Sequence, residues 1–192
     1  PDKRFAAFIM LSIWSCTEGL ITWGLYMQII DVFKGLGLSG AAAIGVWAMV
    51  GPSQASARFG ELLFGGRYSI LTTAFLSAIL TTGSFLIILP FTTSVFVAGA
   101  FSICLGLGHG FFAIARNTLP LMLFGAREYG TYMGRLMLPQ NIVNAGAPVI
   151  FAIAISRFHP STALWLAAGA AFAGFVAVIL LVRTCQRSSD AT

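Results

Sequence analysis

Six long apolar runs follow one another along the chain, separated by short polar breaks. They cover residues 5–29, 37–57, 69–90, 93–115, 137–156 and 162–182. Each is close to the roughly 20 residues a helix needs to cross a hydrocarbon core about 30 Å thick. No stretch keeps a period of two for long, so a closed β-barrel is not expected. The pattern predicts an all-α integral membrane protein, a single six-helix transmembrane bundle over 1–192. The longest break, 116–136, contains the apolar stretch 119–124, expected to lie in the membrane interface.

Composition sharpens this picture. Of 192 residues, 58% are hydrophobic and 9% charged, where soluble domains carry about a quarter charged. Too little polar surface remains to cover a water-soluble globule, which excludes a disordered chain and an ordinary cytosolic enzyme. The net charge of +5 comes without a basic cluster of four or more, so nucleic acid is not an expected partner. Among the eleven basic and six acidic residues, only Glu18 falls inside a predicted span. Lys3, Arg4, Arg58, Arg67, Arg116, Arg127, Arg135, Arg183 and Arg187 fall on one side of the membrane, and Lys34 and Arg157 on the other. By the positive-inside rule both termini are cytoplasmic. The expected location is the cell membrane, specifically a bacterial inner membrane, with connectors 30–36, 91–92 and 157–161 facing outward. Cys16, Cys104 and Cys185 are scattered, so neither a metal nor a disulfide framework is expected. No cofactor is expected either.

Glu18 is the leading candidate for chemistry. A carboxylate near the middle of a span costs several kcal/mol unless it is paired, protonated or facing water. Ser15, Thr22 and Tyr26 extend one polar stripe from it at helical spacing, and Trp14 and Trp23 flank it. Two readings stand: a solute or proton-coupling site, or a structural carboxyl bonded to another helix. His109 shares a face with Ser102, Gly106 and Arg116, and reads either as a proton carrier or as a helix contact. Gln54, near one end of the second span, and the amides Gln140, Asn141 and Asn144 in the fifth are candidates for solute contact or interhelical bonding. Arg58 and Glu61, three apart, are placed to pair or to sit in a solvated loop. Thr73, Ser77, Thr81 and Ser84 are expected to bond back to their own helix. The "GLGHG" run at 106–110 resembles a nucleotide fingerprint but lies inside a span, so it is expected to pack helices. Pro139 and Pro148 are expected to bend the fifth span.

The stretch 51–67, "GPSQASARFGELLFGGR", follows the second span. Its pieces Arg58–Phe59–Gly60 and Gly66–Arg67 resemble the inner-loop Gly-x-x-x-Asp-Arg-x-Gly-Arg-Arg motif of the major facilitator superfamily. The family's Asp falls at Ala57, leaving Glu61 as the nearby acid. "NAGAP", 144–148, is similar to the Gly/Pro motif of the fifth helix in a family repeat. The segment 116–134 resembles the loop between the tenth and eleventh helices of bacterial members. The resemblance covers nearly the whole chain and is to the C-terminal six-helix half. It implies a secondary transporter of a small solute working by alternating access, with a coupling proton as a further partner. It also implies that the first and fourth helices, which hold Glu18 and His109, line the cavity. The solute or proton pathway is expected to include Glu18, His109, Trp14, Thr22, Gln54, Gln140 and Asn144. The gating loop is expected to use Arg58, Glu61 and Arg67.

A complete transporter needs two halves. The expectation is therefore a piece of a twelve-helix permease, or a half that pairs with a second copy. Two other classes are weaker. A rhomboid-like protease would use Ser39 of "GLSG", but the last span carries no His. A non-transporting membrane subunit would need a soluble interaction segment, and the loops and tails are short.

Overall fold

A computed structural model describes residues 3–89 and 94–189. The expected connector 91–92 and the adjoining Pro90 and Thr93 lie outside the described residues. The regular structure is all helical: α1 (Lys3–Leu20), α2 (Tyr26–Gly35), α3 (Gly40–Ala48), α4 (Val50–Phe64), α5 (Ile70–Ile88), α6 (Val95–Phe124), α7 (Tyr129–Arg157) and α8 (Pro160–Ser189). A π-helical turn, Ile21–Leu25, joins α1 to α2, so Arg4–Gly35 runs as one continuous helix. A short 3-10 turn, Gly65–Arg67, follows α4.

Serine side chains open three of these helices. Ser39, Ser69 and Ser94 accept from the backbone N–H of Ala42, Leu71 and Val97, each at 3.3 Å, as good N-caps do. Two glycines close turns that other residues would strain: Gly37 after α2 has φ +100° and Gly125 after α6 has φ +80°. Proline accounts for the break between α3 and α4. Pro52 has no N–H to offer the Ala48 carbonyl, which sits one turn earlier. There the chain makes a turn at Met49, whose carbonyl takes the Ser53 N–H at 3.2 Å and the Ser53 hydroxyl at 2.8 Å.

Five helices are long and apolar enough to cross a membrane: Arg4–Gly35, Ile70–Ile88, Val95–Phe124, Tyr129–Arg157 and Pro160–Gln186. The predicted span 37–57 corresponds to α3 and α4, which the break divides into pieces of 9 and 15 residues. The helices also outrun the predicted boundaries. The expected interfacial loop 116–136 is a turn over residues 125–128, and the apolar stretch 119–124 forms the last turns of α6. Polar side chains end a hydropathy run without ending a helix. Asn117 and Thr118 simply bond back to the carbonyls of Ala113 and Ile114, at 2.9 and 3.0 Å. Across the turn, the Tyr129 hydroxyl donates to the Asn117 carbonyl at 3.2 Å, and the Phe124 and Tyr132 rings stack 3.8 Å apart. Likewise α4 carries Arg58 and Glu61, which the sequence placed in a loop.

Two apolar cores form within the bundle. One gathers Leu25, Phe33, Phe85, Phe101, Phe151 and Leu164 toward the end where α2 meets α3. The other gathers Leu11, Trp14, Phe112, Leu119, Leu136 and Leu181 toward the end where α1 begins and α8 ends. Burying such side chains is worth about 1.5–3 kcal/mol each when water is the alternative. In lipid the gain comes from close packing instead. Between the two cores the buried positions turn small or polar: Ser15, Glu18, Ser77, Thr81 and Gln140, with Gly106 and Gly108.

Candidate functional site

Three glycines set how α6 presents His109. Side chains rotate by about 100° per residue around a helix, so Gly106 and Gly110 share one face and Gly108 faces away from them. A Cβ on Gly106 would lie 2.8 Å from both the Ser53 Cβ and the Val50 carbonyl oxygen. One on Gly110 would lie 2.6 Å from the Ala57 Cβ. A Cβ on Gly108 would lie 2.8 Å from the Thr81 backbone nitrogen. The "GLGHG" run therefore lets α6 press against α4 on one side and α5 on the other, as the packing expectation holds. His109 points along the remaining direction, toward α1.

There it meets Glu18. The His109 Nδ1 lies 3.7 Å from a Glu18 carboxylate oxygen, and Glu18 is only 3% exposed. Thr22 completes the group: its hydroxyl donates to the Glu18 carbonyl at 2.8 Å and lies 3.3 Å from the same His109 nitrogen. Thr22 belongs to the π-helical turn, a distortion that recurs at functional sites. Tyr26 and Phe112 rings lie 5.6 Å from the imidazole on either side. With His109 protonated and Glu18 ionised the pair is an ion pair. Passing that proton between them leaves two neutral groups. Either form is tolerable where an unpaired buried charge is not.

His109 borders a cavity of about 270 Å³ between α1, α6 and α7. Thr22, Trp23, His109, Arg116, Asn117, Gln140 and Asn144 supply its polar lining, with Gly19, Phe112 and Ala113 between them. Glu18 stands behind His109, and no carboxylate lines the space. Asn144 is engaged within the wall. Its amide oxygen accepts from the Trp23 indole N–H at 3.2 Å, and its nitrogen donates to the Gln140 carbonyl at 3.1 Å. Farther along, the Gln28 amide donates to the Pro148 carbonyl at 2.8 Å, tying α2 to α7.

Of the expected pathway residues, Glu18, His109, Thr22, Gln140 and Asn144 come together here. Trp14 does not: its ring packs edge-on against Phe112, 5.0 Å away, and its buried indole N–H has no partner among the described residues. Gln54 lies on α4, where its backbone packs under Gly110. Asn141 faces outward on α7. Arg116 joins the site although it was not placed on the pathway, and Trp23, which flanks Glu18 in the sequence, lines the cavity with it. The available signal for Arg116 was its position seven residues after His109, on the same face.

The expected gating residues separate. Arg58 and Arg67 are exposed, and Arg67 lies over the Phe64 ring, 5.5 Å from its centroid. Glu61 does not pair with Arg58. It is 9% exposed and accepts two hydrogen bonds of 2.7 Å, from the Tyr68 and Thr73 hydroxyls. The Tyr68 hydroxyl is thereby held above its ordinary range, first by that hydrogen bond, then by burial and the carboxylate's charge. The α5 hydroxyls also differ from expectation, because α4 and α6 offer acceptors within reach. Only Ser84 bonds back along its own helix, to Thr81, whereas Thr73 reaches Glu61 and Ser77 donates to the Gly108 carbonyl at 2.8 Å. The Thr81 hydroxyl has no partner among the described residues. Ser39, the serine of the protease alternative, is the exposed cap of α3. No family model and no curated protein matches the chain.

Proposed function

We propose that this chain is one six-helix half of a secondary active transporter of the major facilitator type, moving a small solute by alternating access. The observation that carries the reading is the Glu18–His109 pair. A titratable pair 3.7 Å apart between two apolar cores, with Glu18 buried and His109 half-buried, is expensive in a bilayer and is functional by default. Its His109 lines a polar cavity built from the first, third and fourth long helices of the chain, the first, fourth and fifth predicted spans, in keeping with the positions that line a transport path. In this reading the α3–α4 rod is the sixth crossing, both termini are cytoplasmic, and the protein sits in a bacterial inner membrane. A second six-helix half, from a longer chain or a second copy, completes the site. The tight α4–α5 turn, with Glu61 bonded to Tyr68 and Thr73, is the inner gate element.

The test is flux of a panel of radiolabelled small solutes in cells overproducing the encoded protein. Cells overproducing Glu18→Gln serve as the comparison. Glu18→Gln keeps the shape and loses the charge, so at least about a tenfold loss of proton-coupled flux is expected, with protein level unchanged. Equal flux and equal pH dependence in the two would leave Glu18 structural and remove the basis of the reading.

A further inference from the structure

The cavity beside His109 has a chemical bias that alternating access alone does not require. Its single permanent charge is the Arg116 guanidinium, about two helical turns, or roughly 10 Å, from His109 on the same face. Arg116 is half-buried, and among the described residues no carboxylate lies within ion-pair distance of it. Glu18 is already matched to His109 and does not line the space. Gln140 adds an independent observation. It is 4% exposed, lines the cavity, and its side-chain amide makes no hydrogen bond among the described residues. Its amide atoms open on the cavity, where a ligand can bond them. The second ring nitrogen of His109 is likewise without a partner among the described residues. Asn144 and Trp23, by contrast, satisfy each other.

The groups left unsatisfied are thus a cation, an amide and an imidazole edge. Between His109 and Arg116, on the same face of α6, lie Phe112 and Ala113, and Gly19 lines the space from α1. We infer that the cavity takes a small organic carboxylate, with the acid group between Arg116 and Gln140 and an apolar body against Phe112 and Trp23. Guanidinium binds carboxylate through two parallel N–H donors, which gives geometry as well as charge. The volume, about 270 Å³, lies below the range of drug-sized pockets, so the ligand is small. A cationic solute would meet Arg116 unscreened in a low-dielectric site. This inference rests on the transporter reading only in calling the ligand a transported solute.

The experiment uses three probes of one shape and different charge: benzoate, benzamide and benzylammonium. Binding to the purified full chain in lipid nanodiscs is followed by Trp23 fluorescence, with Trp23→Phe as the control for signal assignment, and by calorimetry. Benzoate is expected to bind at least about tenfold more tightly than benzamide, with no binding of benzylammonium. Arg116→Gln is expected to erase the preference for benzoate, and Arg116→Lys to keep part of it. Because the probe comparison is made on the unaltered protein, it holds even if a variant fails to fold. Equal or tighter binding of benzamide or benzylammonium overturns the inference, as does binding of none of the three. Flux separates the two readings. Benzoate binding without benzoate movement in the cell assay overturns transport and leaves the anion site standing. Transport of a neutral or cationic solute, with no carboxylate binding, does the reverse.

Discussion

The two sides of α6 are built from adjacent residues and do opposite things. On the side of α4 and α5, Gly106, Gly108 and Gly110 let backbones approach until a single added methyl has no room. Ser77 then bonds the Gly108 carbonyl across the seam. On the side of α1 and α7, His109 and Arg116 hold the helices apart around an open space of about 270 Å³. The difference teaches where rigidity and adaptability are placed. In lipid, small residues supply close packing, and this fixes α6 against α4 and α5. The polar side chains on its other face are then held in place without being packed shut.

The same substitution on the two sides should give different answers. Gly110→Ala puts a methyl 2.7 Å from the Gln54 carbonyl oxygen and 3.1 Å from its Cα, both backbone atoms that cannot turn aside. A loss of about 2–3 kcal/mol is expected from this overpacking, seen as a lower thermal midpoint in detergent. A midpoint shift of less than a few degrees would mean that the seam is looser than described.

The end of the seam gives a smaller effect. Tyr68→Phe removes one of two hydrogen bonds to Glu61, at a cost of about 1 kcal/mol. Because the Tyr68 hydroxyl is shifted upward, its contribution is complete below the ordinary tyrosine value near 10. It fades as pH rises through the elevated one. The stability gap between the two proteins should therefore hold steady between pH 7 and 9 and narrow only in stronger alkali. A gap that closes already near neutrality would assign the bond no role.

Gly19→Ala should cost less than Gly110→Ala. Its added methyl meets the Asn144 and Gln140 side chains at the cavity wall. Turning Asn144 aside gives up its bonds to Trp23 and the Gln140 carbonyl, so about 1 kcal/mol is expected, with a clear change in benzoate affinity. If Gly19→Ala destabilises as much as Gly110→Ala, the cavity side is packed as tightly as the seam, and the contrast fails.

The long helices were legible because the apolar runs are long and the charges sit between them. The ends were not. Arg116–Asn117–Thr118 and Arg58 interrupt hydropathy, yet side chains that bond their own carbonyls or reach solvent leave the helix intact. The break at Met49 was hidden for the converse reason, since the run is apolar throughout and only Pro52 disturbs its backbone bonding. In the site, Glu18 and His109 stood out as polar groups in apolar runs. Arg116 and Trp23 read as a boundary charge and a flanking aromatic. Trp14 shared a helix face with Glu18 but packs against Phe112, and Gln54 is not among the residues that line the cavity.

By itself the sequence determined the all-helical class, the apolar lengths suited to a bilayer and the residues with chemistry to spend. Each follows from local composition, which a solvent preference and a 3.6-residue period can read. Only the tertiary structure decided that His109 meets Glu18, that Arg116 and Gln140 are left unpartnered in one cavity, and that Glu61 is bonded to hydroxyls and not to Arg58. Those outcomes depend on which helix faces touch. That is set by the glycines of α6 acting on α4 and α5 at once, through contacts between residues dozens of positions apart.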